Sequence, residues 1–232
     1  MGKVNNSNIG IYKERTLHAA LKNYYEPDQS RHEQPLMGYI ADIYNEKGVM
    51  EVQTRDFYAM KKKLETFLPE FPVTIIYPAV RQKWLIWVNP ETGENTPRRK
   101  SPKVGTPYAV FNELYSIRSL ITHANLRLRI ISVDLDEYRQ LNGWSRDKKH
   151  GSTRSERIPV GIGDEILINN KQDYHKLIPE GLPSTFNSTD FAQFGKLNRS
   201  TAQNALYVLN AVKAVERIDR NKKGYIYKSN TL

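Results

Sequence analysis

Two carboxylates, Asp42 and Glu51, stand in short apolar runs on either side of a tight turn, at a spacing that could hold a divalent cation. The first run is Gly38-Tyr39-Ile40-Ala41-Asp42-Ile43 and the second Val49-Met50-Glu51-Val52-Gln53-Thr54. Asn45-Glu46-Lys47-Gly48 between them reads as a four-residue turn, with Gly48 supplying a positive φ. If Tyr44 pairs with Val49, Asp42 falls opposite Glu51, and strand alternation puts Glu51, Gln53 and Arg55 on the face from which Asp42 projects. Facing carboxylates repel unless a cation sits between them, and hard oxygens beside an amide suit Mg²⁺ or Mn²⁺. The expected chemistry is a metal-phosphate site. The bland alternative makes Asp42 a strand-edge guard against aggregation and Glu51 and Gln53 a solvated sheet face. An aspartate flanked by Ile40, Ala41 and Ile43 favours the first reading, because such a setting is unusual for a carboxylate without a partner.

The elements that must position this hairpin are legible around it. Apolar residues at Ile11, Leu17, Ala20, Leu21 and Tyr24 predict an amphipathic helix ending before Pro27, with Glu14 and His18 one turn apart on a shared face. His18 is a candidate general base or supporting residue. Phe57 to Leu68 is a second expected helix, carrying Lys61-Lys62-Lys63 and closed by Pro69. Phe71 to Tyr77 predicts a β-branched strand ended by Pro78, and Lys83 to Val88 a further strand. Beyond the turn at Asn89 to Gly93 come the basic stretch Arg98 to Lys103, a helix over Tyr108 to Ile117 and a strand over Leu126 to Leu135. Gly143 to Pro159 reads as a polar, basic connector and a candidate phosphate contact.

A second unit is expected from Gly161. Ser188-Thr189-Asp190 offers caps for a short helix, Gly195 and Asn198 make a turn, and Arg199 to Ala214 carries an apolar stripe at Ala202, Ala205, Leu206, Leu209 and Val212. Val215 to Asp219 and Gly224 to Lys228 then form a hairpin with Arg220-Asn221-Lys222-Lys223 at its tip.

The chain has 232 residues with 39% hydrophobic content, enough for one sizeable core and a small second domain. Its formal charge of +10 favours a polyanionic partner, nucleic acid first. No cysteine is present, which excludes disulfides, thiolate zinc sites and cysteine nucleophiles. Met1 to Asn8 lacks the apolar core of a signal peptide and no run reaches the length of a membrane span, so the expected location is cytoplasmic, without membrane partners.

Helix, acidic hairpin, helix and strand in this order resemble the PD-(D/E)xK nuclease superfamily, particularly its small Holliday-junction-resolvase-like members. The resemblance rests on Glu14 in Ile11-Tyr12-Lys13-Glu14-Arg15, Asp42 in Ala41-Asp42-Ile43, and Glu51-Val52-Gln53-Thr54. It implies an α/β fold with a restriction-endonuclease-like mixed sheet flanked by helices, and Mg²⁺-dependent deoxyribonuclease activity with Mn²⁺ able to substitute. Asp42, Glu51 and the Val52 carbonyl would hold the metal, and Glu14 a second metal or a metal-bound water. Where the superfamily usually carries lysine, this chain has Gln53, which would position the nucleophile. Arg55, Lys61 or Lys62 would then supply the cation that offsets charge on the reacting phosphate.

The carboxy-terminal part resembles winged helix-turn-helix domains. The resemblance rests on Asn198-Arg199-Ser200-Thr201-Ala202-Gln203-Asn204-Ala205-Leu206 as the start of a recognition helix, with the terminal hairpin as the wing. It implies that Arg199, Ser200, Gln203 and Asn204 face base edges of double-stranded DNA, while Arg220, Lys222 and Lys223 contact phosphate. The expected organisation is a nuclease domain over residues 1–160 and a winged helix over 161–232. Together these make a DNA endonuclease of restriction, defence or mobile-element processing, acting as a homodimer or in a larger complex because one active site cuts one strand. The rival expectation is a non-catalytic DNA-binding or regulatory protein with a degenerate nuclease core.

Overall fold

The structure, a computed structural model, describes residues 17–141, 153–222 and 224–230. It opens with α1 (Leu17–Tyr25), whose Leu17, Ala20 and Leu21 are buried at helical spacing. A hairpin follows, β1 (His32–Leu36) and β2 (Tyr39–Asn45), then β3 (Gly48–Val52). A 3₁₀ turn at Phe57–Met60, capped by the Asp56 side chain on the Ala59 amide, leads into α2 (Lys61–Phe67). Then come β4 (Val73–Val88), the short β5 (Arg99–Lys100), α3 (Val110–Ser116), β6 (Leu126–Gln140) and β7 (Thr153–Ile168). The chain ends with β8 (Thr185–Phe186), α4 (Ser188–Gly195), α5 (Arg199–Ala211), β9 (Val215–Asn221) and β10 (Gly224–Ser229).

Among the described residues the strands make a seven-stranded mixed sheet in the order β1-β2-β3-β4-β6-β7, with β5 beside β4, and a three-stranded sheet β8-β10-β9. β4 runs parallel to both β3 and β6, while the outer pairs are antiparallel. α1 covers one face through Leu17 and Leu21 against Ile43, Met50, Val52, Ile76 and Val133. The other face carries α2, α3 and the carboxy-terminal helices over Val49, Val73, Ile75 and Ile130. This is an α/β protein with a large mixed sheet flanked by helices.

Pro78 does not end the strand that was expected to stop there. β4 continues to Val88, so the two expected strands are one, and Pro78 pairs with Ile131 of β6. Val73 donates its N–H toward Asn125, and Ile76 accepts the Gln53 N–H on the opposite side. Pro78, in phase with Ile76, therefore directs its missing donor to the side where β3 has already ended, and the sheet loses no hydrogen bond.

Two further expectations are corrected. The polar connector does not extend to Pro159, since Thr153 onward belongs to β7; Arg146, Lys148 and Lys149 lie outside the described residues. The boundary at 160/161 falls inside β7, which pairs with β6 from Thr153 to Ile168. Nor do the carboxy-terminal helices keep a separate core. Phe191 packs edge-on against Phe111 of α3 with centroids 6.3 Å apart, and Ala202, Leu206 and Leu209 join the cluster that holds Leu64, Phe67 and Leu114. Asn112 of α3 donates to Thr201 at 3.0 Å and accepts from Asn204 at 3.0 Å, which fixes α5 across α3. Each of these buried large side chains contributes roughly 2 kcal/mol by leaving water. Dividing the chain there would expose that surface.

Candidate functional site

The hairpin folds in the anticipated register. Tyr44 pairs with Val49, and Gly48 has φ +103°, with no room for a Cβ beside the Pro72 carbonyl. The β2–β3 ladder runs from Asn45↔Gly48 to Ile43↔Met50 and stops there. Asp42 stands one residue beyond the last pair, so the expected pairing of Asp42 with Glu51 is not formed. Its Oδ2 accepts the Val52 N–H at 2.8 Å, so a side chain supplies the acceptor that a continuing strand would have offered. Gln53 turns its backbone N–H to Ile76, and the alternate residue Val52 turns its amide toward Asp42. Asp42, Glu51 and the Val52 backbone thus gather where the two strands part.

The pKa values of the two carboxylates are pushed in opposite directions. Asp42 is largely buried, which by itself would raise its pKa. The His18 hydrogen bond at 3.1 Å, the His18 charge, the Val52 amide and the charge of Lys63 outweigh this and keep Asp42 below the usual carboxylate range. Glu51 is only 5% exposed, and burial, reinforced by the negative charge of Asp42, pushes it up to about 7. Lys63, bonded to Glu51 Oε2 at 2.6 Å, opposes the rise without cancelling it, and the nearby Asp42 amide counters it slightly. Glu51 Oε1 is buried without a partner of hydrogen-bonding geometry. A buried, orphaned carboxylate oxygen next to an ionised aspartate is a place where a hard cation fits, since it would satisfy the oxygen and relieve the repulsion.

The cation that reaches Glu51 is Lys63, which the sequence reading passed over. Arg55, Lys61 and Lys62 were the expected cations, but Arg55 and Lys62 make no ion pair among the described residues and Lys61 reaches Glu65 on its own helix at 3.7 Å. The signal was positional. Lys63 lies three residues after buried Met60 and four before buried Phe67, and its ammonium sits 5.9 Å from the Phe67 ring centroid. A lysine within the inward stripe of a helix must bring its charge to something buried.

The Gln53 amide nitrogen donates to the carbonyls of Arg55 at 2.6 Å and Asp56 at 3.2 Å, holding the loop that enters α2. Its amide donors serve that loop, which accounts for its position independently of any water. Glu14 lies outside the described residues. Among the described residues no group of three or more His, Cys, Asp or Glu side chains comes together that could hold a metal ion, so any ion here would have Asp42 and Glu51 as its carboxylates.

The second candidate region lies on α5 and the β9–β10 hairpin. Arg199, Ser200 and Gln203 are exposed, as are Arg220 and Lys222; Lys223 is outside the described residues. Asn204 donates its amide N–H to Asn112 Oδ1 at 3.0 Å, which engages that donor within the fold. Asn198 caps α5 by accepting the Thr201 amide, and Asn187 with Asp190 forms a capping box on α4, so both helix starts are fixed by their own sequences.

A mixed α/β sheet with an acidic pair and a lysine where a hairpin opens defines a class of site, not yet a protein. The chain belongs to the family described as a domain of unknown function, DUF8091, whose model matches residues 15–169 and so spans the acidic hairpin and the whole large sheet. It is also 32% identical over 190 residues to a Treponema pallidum (strain Nichols) protein described as uncharacterized, covering 81% of this chain and 74% of that one. No solved structure matches the chain. No helix among the described residues is long and apolar enough to cross a membrane.

Proposed function

We propose that the protein is a Mg²⁺-dependent DNA endonuclease of the cytoplasm, with a restriction-endonuclease-like core and a winged-helix element formed by α4, α5 and the β9–β10 hairpin. The observation that carries the reading is the parted hairpin, where Asp42, the orphaned Glu51 oxygen and the Val52 backbone converge beside Lys63. Asp42 and Glu51 would hold the ion, with the Val52 carbonyl as a third oxygen. A divalent ion held there would supply positive charge to the reacting phosphate and lower the pKa of a water molecule toward neutrality.

The remaining work falls to the chain's own groups. Asp42 is ready as an anion at neutral pH, fixed by His18 and the Val52 amide. Glu51 must lose its proton for the site to reach full negative charge, which its raised pKa makes a function of pH. Lys63, already at the carboxylate, is placed to offset negative charge on the reacting phosphate, the task that Gln53 could not perform. The basic surplus of the chain draws the polyanion toward the site.

The test is nicking of supercoiled plasmid with Mg²⁺ or Mn²⁺ by the wild type, Asp42→Ala and Glu51→Ala. Loss of at least about a hundredfold in both variants is expected, of the size found when charge-stabilising groups are removed from a transition state. Equal activity in all three would leave the rival, a DNA-binding protein without hydrolysis, as the surviving account. The ion pair between Lys63 and Glu51 favours that rival as far as a self-satisfied pair can, and the variants separate the two.

A further inference from the structure

The α5 face expected to enter a DNA groove is instead one wall of a cleft. Arg199, Gln203 and Tyr207 recur at four-residue intervals along one side of α5, and that side borders the β9–β10 hairpin. Between them lies a cavity of about 340 Å³, closed on the hairpin side by Arg217, Arg220 and Tyr225. The Arg217 guanidinium lies over the Tyr225 ring at 3.7 Å from its centroid, and Arg220 approaches the same ring at 5.2 Å. Tyr207 and Tyr225 remain 44% and 39% exposed. Among the described residues none of the three guanidiniums has a carboxylate partner, although Glu216 and Asp219 are near in sequence. Three uncompensated cations therefore surround two accessible phenol rings.

We infer that this cleft seats one unpaired nucleotide of a nucleic-acid strand, its base stacked on the Tyr225–Arg217 layer or on Tyr207 and its flanking phosphates on Arg199 and Arg220. The inference rests on the reading of the chain as a nucleic-acid-binding protein and changes what its carboxy-terminal element recognises. Concavity decides against a duplex. A groove reader projects its helix from the surface, whereas here the helix side that carries the polar residues faces a hairpin across a space of about the size of a nucleotide. The chemistry agrees, since unpaired bases are bound by stacking on aromatic rings and guanidinium planes, with cations tracking the backbone. Asn204, the side chain best suited to an adenine edge, is occupied by Asn112. The tip cations Arg220 and Lys222 are exposed, and Arg220 lines the opening.

The experiment is fluorescence anisotropy with the full chain carrying Asp42→Ala, in EDTA so that no cleavage intervenes. The probes are a blunt duplex, the same duplex with a two-nucleotide single-stranded overhang, and a single strand of equal length. The overhang duplex and the single strand are expected to bind at least about fivefold tighter than the blunt duplex, the lower end of what one stacked base confers. Tyr225→Ala should abolish that preference while leaving blunt-duplex binding within about twofold, and Tyr225→Phe should restore it, because a ring is needed and a hydroxyl is not. Blunt and overhang probes binding equally, or Tyr225→Ala weakening every probe alike, would overturn the inference and leave a duplex phosphate surface. Failure of all three probes to bind would instead remove the nucleic-acid reading itself.

Discussion

At the scale of single residues, the informative quantity is the split between two neighbouring carboxylates. Glu51 carries a pKa pushed up to about 7 chiefly by burial, from an ordinary value of 4.5. A carboxyl that binds its proton more tightly when folded makes the folded state lose stability as pH rises between those two values. This contribution should amount to about 3 kcal/mol across the window from pH 4.5 to 7. Asp42 acts in the opposite sense and only in more acid solution, where its lowered pKa makes stability fall as it is protonated. Urea midpoints of wild type and Glu51→Gln measured from pH 4.5 to 8 should therefore diverge, the wild type declining relative to the variant. Parallel curves would show that Glu51 is not buried against Asp42. At pH 8, Mg²⁺ should raise the wild-type melting temperature by mass action and leave that of Asp42→Ala unchanged. Lys63→Met should cost roughly 3 kcal/mol at pH 8, as expected when a buried carboxylate loses its counter-charge, and should shift the pH dependence of plasmid nicking upward.

At the scale of elements, the site depends on a turn that places two strands so that they can part. Gly48 has a φ that side chains rarely adopt, and a Cβ there would stand 2.3 Å from the Pro72 carbonyl oxygen. Its amide neighbour Val49 donates to that same carbonyl, so the turn is locked to the start of β4. Gly48→Ala should destabilise the protein by at least about 2 kcal/mol, from backbone strain and displaced packing, and should lower metal affinity along with stability. Denaturant unfolding checks the first and calorimetric Mn²⁺ titration the second. An alanine variant as stable as the wild type would mean that the turn is free to move. The hairpin, its glycine and the helix that follows were readable because alternation, turn composition and apolar periodicity are local. The length of β4 was not, because proline as a strand terminator presumes that its nitrogen faces a neighbour. Only the register of β3, which ends two residues before Pro78's level, shows that it does not.

At the scale of the whole molecule, the apparent second unit shares its core with the sheet. Phe186, Phe191, Ala205 and Leu209 belong to the same buried cluster as Phe67, Phe111 and Leu128, and α3 serves as the common wall. Thermal unfolding should therefore show one cooperative transition. A fragment of residues 1–160, which cuts β7 between paired residues, should lack one. Two separated transitions in the intact chain would speak for independent domains. Binding to any DNA probe should weaken steeply with salt, since a chain of formal charge +10 displaces counterions from the polyanion.

By itself the sequence determined what nearest-neighbour chemistry controls: an acidic pair on a glycine-closed hairpin, the existence of helices α4 and α5, a basic surplus and the absence of thiol chemistry. Tertiary structure alone decided which lysine meets Glu51, which carboxylate holds its proton to higher pH, that Asn204 is bonded to Asn112, and that α5 faces a hairpin across a cleft. The physical reason is common to all four. Each depends on distances of a few ångströms between residues remote in the chain, and on the burial those contacts create, and neither is set until separate elements pack together.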